Sequence, residues 1–342
     1  MFLSFEEIRS LATGWLSWQE DGQGLILSRF TPEQMAFYDN NPATPKASAR
    51  QRHSASIQLD FYTDSDFVTL KADGFCFSHD PDVGRVAFDF LENGVLLHHA
   101  VWEKPEVGLE PERMVFPLDE MTIPLSPGVN RVTICLPWSR RIRIRGLELS
   151  EGASFRPHVH AKTWLAFGDS ITQGYLAEYP SMTYVNQTAR LLDARVVNQG
   201  IGGERFRKEK LVPGTYPRCD FVTVALGTND YGMWQNWDDF CLNMSAFLRT
   251  AAEEFAGVPV FILLPVWREE GEVSPRAIGT LPRVRERIRQ EAEKYPGFTV
   301  LEGLELMPHL PEFFADSPAL HPNDLGFSQF AMNLYRAIRD KI

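Results

Sequence analysis

Four short segments of the 342-residue chain concentrate the residue types that carry nucleophilic chemistry. Gly168-Asp169-Ser170-Ile171-Thr172-Gln173-Gly174 offers a serine, and Asn198-Gln199-Gly200-Ile201-Gly202-Gly203-Glu204 offers a run of glycines. Gly227-Thr228-Asn229-Asp230 offers a side-chain amide, and Asp316-Ser317-Pro318-Ala319-Leu320-His321-Pro322-Asn323-Asp324 a histidine among carboxylates. A serine becomes a nucleophile when it is exposed at a strand end with a base in hydrogen-bond reach. Histidine titrates near neutrality, which suits it to take that proton and return it to a leaving group. Gly168 permits a tight exit from a strand, although the context is not the Gly-x-Ser-x-Gly of a sharp nucleophile elbow. Each segment alone also has a plainer reading: Asp-Ser caps a helix, the glycines form turns, and Asn-Asp closes a strand.

The surrounding pattern gives the segments a common place. Buried apolar runs predict strands over 163–167, 195–197, 221–226, 259–264 and 298–301, separated by amphipathic stretches that predict helices over 182–192, 237–255, 282–295 and 324–342. This is the pattern of a parallel sheet with covering helices. The segments follow the first, second, third and fifth strands, at the carboxyl ends where open α/β sheets place ligands.

The preceding half has another period. From Leu25 to about Leu149 the chain alternates apolar and polar residues in short runs, as in 56–62, 85–90 and 130–135, which predicts half-buried antiparallel strands. Along 141–149 the apolar set changes parity at Gly146, which predicts a bulge there. The Pro-rich segments 40–46 and 104–112 read as surface excursions. The expected architecture is an all-β sandwich or jelly roll at 1–155, a polar link near 150–160, and a doubly wound, flavodoxin-like five-stranded parallel sheet at 156–342.

The four segments, in this order and with compatible spacing, resemble the motif blocks of the SGNH hydrolase superfamily, also called GDSL esterases and lipases. The resemblance covers roughly the C-terminal half. It implies Ser170 as nucleophile, His321 as base, and an oxyanion hole built from the backbone N–H groups of Ser170 and Gly203 and the amide of Asn229. Gly203 is preferred to Gly200 and Gly202 because it precedes the acidic Glu204, as the family glycine precedes Asp or Asn. With strand order 2-1-3-4-5, Gly203 and Asn229 would approach Ser170 from opposite sides. The sequence departs from the family at the acid, which usually stands three residues before the histidine, where Pro318 stands here. Asp316, five residues before, is the expected third member. A main-chain carbonyl orienting His321 in a Ser-His dyad is the alternative, and Asp324 is a third candidate that more simply begins a helix.

A β-sandwich ahead of an SGNH domain resembles the layout of two-domain carbohydrate esterases and related acylhydrolases. The expected activity is a serine esterase acting on a small carboxylic ester, such as an acylated carbohydrate. Acyl transfer by the same acyl-enzyme, or a catalytically idle glycan-binding protein, are the alternatives. Asp169, Glu204, Arg205 and Trp267 are the expected substrate contacts, with Trp234, Trp237 and Arg268 as further rim candidates. The pair His158/His160 has metal-binding spacing but no acidic or thiol partner near it in sequence, so neither a metal nor a cofactor is expected.

Composition narrows the partners. Lys plus Arg number 34 and Asp plus Glu 45, a net charge of −11 that repels nucleic acid and anionic membranes. Four widely spaced cysteines do not form a disulfide framework, which points to a reducing, cytoplasmic setting. No apolar run reaches membrane-spanning length, and the N-terminal Glu6 and Glu7 do not fit a secretory signal. A homo-oligomer is left open.

Overall fold

The computed structural model describes residues 1–40, 45–76, 85–102 and 114–342. The first half is two antiparallel sheets packed face to face. One has the order Ala12–Thr13, Gln58–Thr63, Asn130–Cys135, Val86–Glu92, Val95–Trp102, with Phe155–Pro157 also paired to Gln58–Thr63. The other runs Ser17–Glu20, Leu25–Ser28, Arg141–Leu149, Phe67–Cys76, Met114–Pro117, with Met121–Pro124 also on Phe67–Cys76. Alternation places Leu59, Phe61, Val132 and Ile134 of one sheet against Leu70, Ala72, Ile142 and Ile144 of the other. The parity change along Arg141–Leu149 is a bulge. The register jumps between Ile144 and Gly146, so Arg145 is the extra residue and Leu147 and Leu149 return to the core.

Two features differ from the pattern-based expectation. Strands Gln58–Thr63 and Val86–Glu92 are buried on both faces, because their polar outer face meets the second half of the chain. Asp89, for example, accepts from the Ser181 N–H at 2.7 Å. Helices also interrupt the β pattern at Phe5–Leu11, Pro32–Asp39 and Pro45–Arg50. The first two carry capping boxes, Ser4 with Glu7 and Thr31 with Gln34. Segment 104–112 and residues 41–44 of segment 40–46 lie outside the described residues.

The second half is a parallel sheet in the order Ala194–Gly200, Lys162–Gly168, Phe221–Ala225, Val260–Leu263, Phe298–Leu301. Alternate residues of the central strand bury on opposite faces. Trp164 and Ala166 meet helices Tyr184–Leu192 and Asp324–Ile338, while Leu165 and Phe167 meet Trp237–Glu254 and Leu281–Ala292. No helix among the described residues is long and apolar enough to cross a membrane.

Candidate active site

The strand order fixes the convergence. Strand Lys162–Gly168 lies between Ala194–Gly200 and Phe221–Ala225, so the segments that follow all three leave the same edge side by side. Ser170 opens the short helix Ser170–Gln173, and the Asp169 carboxylate caps it by accepting the Ile171 N–H at 2.9 Å. Gly200 must lack a side chain there, since a Cβ would stand 2.6 Å from the backbone nitrogen of Gln173.

Ser170 Oγ lies 2.9 Å from His321 Nε2, and His321 Nδ1 lies 2.6 Å from Asp316 Oδ2. The other carboxylate oxygen of Asp316 accepts the backbone N–H groups of Leu320 and His321 at 2.9 and 2.8 Å. The five-residue spacing is thus absorbed by a compact turn that folds the carboxylate back onto its own histidine, and the outer nitrogen of His321 meets Asp316. Burial raises the affinity of Asp316 for a proton, but the His321 ring and these N–H groups outweigh it and hold the carboxyl below its usual range. Asp324 is elsewhere occupied: it accepts the Glu178 N–H at 2.9 Å.

On the opposite side of Ser170, Gly203 has φ +82°, a left-handed conformation that suits glycine. Neither its N–H nor that of Ser170 donates to a protein acceptor among the described residues. One N–H of the Asn229 amide donates to the Glu204 carbonyl at 3.0 Å, which fixes the group and leaves its other N–H available. Gly202 instead donates to Gln173 Oε1 at 2.7 Å.

The expected substrate contacts divide. Asp169 and Glu204 turn inward, 3% and 0% exposed. Burial pushes the Asp169 carboxyl up to about 6. Burial also opposes ionisation of Glu204, but Lys210, Arg207 and the Tyr38 hydroxyl hold its carboxyl below the usual range. Trp267 stacks on His309 and packs against Phe314, so it supports the loop bearing Asp316 and His321. Trp237 lies under Arg283, with the guanidinium 3.8 Å from the ring centre. Arg205 is half-buried over the Trp234 ring, and Arg268 reaches the carbonyl of Thr228, the neighbour of Asn229, at 3.2 Å.

Two neighbours were not read from the sequence. The Tyr175 ring lies 4.8 Å from that of His321. Arg50, from the first half of the chain, packs over Tyr175 and closes on Gly202, where a Cβ would meet its Nη1 at 2.6 Å. Tyr175 is one residue beyond the serine segment and was within reach of a sequence reading. Arg50 carried no local signal.

With this geometry in place, the comparisons become informative. A family model described as "GDSL-like Lipase/Acylhydrolase family" matches residues 166–328. Residues 166–328 belong to that family. The chain therefore carries an ester-bond hydrolase domain. The sequence matches no curated protein. Among solved structures it is similar to a salicylyl-acyltransferase from a tetracycline biosynthetic pathway, at 20% identity and TM-score 0.76, covering 96% of this chain and 94% of that one. It is also similar to an acetyl xylan esterase from the rumen bacterium Butyrivibrio proteoclasticus, at 15% identity and TM-score 0.61, covering 100% and 98%. A family two carbohydrate esterase from Clostridium thermocellum, solved in complex with cellohexaose, aligns at 13% identity and TM-score 0.61, covering 96% and 98%. At these identities the likeness is one of fold: a β-rich unit followed by a GDSL-type sheet.

Proposed function

We propose that the chain is a serine acylhydrolase in which Ser170, His321 and Asp316 act as a triad. The observation that carries this reading is the continuous chain of contacts from Ser170 Oγ through His321 to Asp316, at 2.9 and 2.6 Å. As Ser170 Oγ attacks the ester carbonyl carbon, its proton passes to His321 Nε2, and Asp316 accepts from Nδ1 and stabilises the imidazolium. Charge developing on the carbonyl oxygen is met by the N–H groups of Ser170 and Gly203 and by the Asn229 amide. The imidazolium then protonates the departing alkoxide, and an acyl-Ser170 ester remains. Water, deprotonated by His321, attacks that ester and releases the acid.

The substrate in this reading is a small carboxylic ester of a hydroxylated, carbohydrate-like alcohol. Tyr175 beside His321 and Arg50 over it support a polar ligand, as do Arg205 and Arg268 next to the segments that carry Gly203 and Asn229, and the solved carbohydrate esterases lend the same class by analogy. Transfer of the acyl group to an acceptor alcohol in place of water is the second reading, favoured by the acyltransferase, whose TM-score is 0.76. Cys135, Cys219 and Cys241 are free thiols, which supports a reducing, cytoplasmic setting. The test is hydrolysis of a short p-nitrophenyl ester series beside an acetylated-sugar panel, with and without acceptor alcohols. Ser170→Ala should abolish turnover on every ester, and a fluorophosphonate probe should label Ser170. Labelling at another residue would overturn the assignment, and a transferred acyl product would select the second reading.

A further inference from the structure

The pair His158/His160 has acidic partners after all, brought from far along the chain. The two rings lie 4.6 Å apart and nearly perpendicular, at 87°. Strand Gln58–Thr63 places Asp60 beside them, and one ligand atom from each of Asp60, His158 and His160 lies within 4.8 Å of the others. Two of the three are held from outside. Asp60 accepts from Arg131 Nε and Nη2 at 2.9 and 2.7 Å and from Thr133 Oγ1 at 3.1 Å. His158 Nε2 lies 2.7 Å from Asp193 Oδ1. His160 differs. Its Nε2 is 3.3 Å from Asp60 Oδ2 and its Nδ1 is 3.6 Å from Asp193 Oδ1, yet both nitrogens are buried and neither has a hydrogen-bond partner among the described residues.

A buried imidazole with both nitrogens unsatisfied is costly and calls for an occupant. Space for one exists, since Asp60, Arg131, Thr133 and His160 line a cavity of about 310 Å³. We propose that Asp60, His158 and His160 form a structural site for a divalent ion of the zinc class, with water from this cavity completing the coordination. Two imidazoles and one carboxylate favour such a borderline ion over calcium or magnesium. The surrounding bonds match what an outer shell does: Asp193 orients the His158 ring, while Arg131 and Thr133 orient the Asp60 carboxylate. The carboxylates of Asp60 and Asp193 offset the positive charges of Arg131 and Arg190, which line the same cavity. The ion joins a sandwich strand to the link, and Asp193, in the turn after helix Tyr184–Leu192, reaches it only through His158.

The test is calorimetric titration of zinc chloride into the tag-free full chain after chelator stripping, with thermal melts and the absorption spectrum of the cobalt-loaded protein. The wild type should bind one equivalent, melt higher when loaded, and show the intense visible bands of low-coordinate cobalt. His160→Ala breaks no hydrogen bond and should remove binding and the thermal shift together, with ester hydrolysis unchanged. Asp193→Asn, tolerated at φ +47°, should weaken binding by roughly 10- to 100-fold. Absence of saturable zinc binding by the stripped wild type would overturn the proposal. So would a His160→Ala chain that binds with wild-type stoichiometry and affinity.

Discussion

The distance from His321 Nδ1 to Asp316 Oδ2, 2.6 Å, separates a triad from a dyad. Asp316→Asn removes the charge that would stabilise imidazolium and presents an amide that favours the wrong tautomer. Turnover should fall by on the order of 10⁴ with the fold intact. Steady-state kinetics check this, and retention of most activity would return the site to a dyad. A second residue-scale effect concerns Asp230, which is 0% exposed. Burial pushes its carboxyl up to about 7, against the hydrogen bonds from Trp234 Nε1 and the Phe206 N–H, whereas an unfolded Asp titrates near ~4. Between those values the native state keeps a proton that the unfolded chain has released, so this group's contribution to stability declines as pH rises from about 4 to about 7. Urea melts across that window should show a flatter pH dependence for Asp230→Asn than for the wild type; equal slopes would refute the shift. Residue type and spacing named Ser170, His321 and Asp316, and the three lie in contact. Direction was not legible: Asp169, Glu204 and Trp267 follow strand ends as substrate contacts would, yet capping, ion pairing and ring stacking turn them inward.

At the scale of elements, a single side chain ties the His321 loop to the last helix. Asn323 Oδ1 accepts the Gly326 N–H at 3.0 Å as the N-cap of Asp324–Ile338, while its Nδ2 donates to the Glu312 carbonyl at 2.7 Å. A bridge between Phe314 and Pro322 and the Ala315 N–H on the His321 carbonyl at 2.8 Å close the loop between them. Asn323→Ala should lower stability by about 1–2 kcal/mol through the lost cap and also lower turnover, because the loop that aims His321 loses its tether. Asn323→Asp keeps the cap acceptor but not the donor, so the melting temperature should recover further than the turnover number. Parallel recovery of both would show that the cap alone matters. The period of two marked the sandwich, continuous apolar runs the parallel sheet, and the period of 3.6 the four long helices of the second half, because each of those elements buries a regular face. The helices Pro32–Asp39 and Pro45–Arg50 escaped this reading. They are short, eight and six residues, too short to show a periodic face, and the signal of the first lies in its Thr31/Gln34 capping box.

Across the whole molecule, the sandwich is built into the wall behind the loops that carry Gly203 and His321. Arg29, 0% exposed, sits on the first half of the chain, and its guanidinium donates to main-chain carbonyls on both halves. Nε reaches His53 O at 2.8 Å, Nη2 reaches Arg50 O at 3.0 Å, and Nη1 reaches Gly200 O at 2.9 Å and also Asn198 O. Asn198 and Gly200 begin the segment that presents Gly203, and Arg50 packs on Tyr175 beside His321. No sequence period reports such contacts, since they join residues about 170 positions apart. Burial lowers the Arg29 pKa to about 9, so the cation persists at neutral pH. Arg29→Met would keep much of the volume and take one donor from each of four carbonyls; Arg50 O still accepts the His53 N–H at 3.1 Å, and any carbonyl left buried and unsatisfied costs roughly 1–3 kcal/mol. The melting temperature should fall as one cooperative transition, and turnover should fall with it although Arg29 touches none of the reacting groups. Arg29→Lys should rescue little, because one ammonium cannot span the four acceptors of a planar fork. Differential scanning calorimetry beside kinetics checks both halves of the expectation. A variant that melts in two separate steps with wild-type turnover would mean that the sandwich is merely attached.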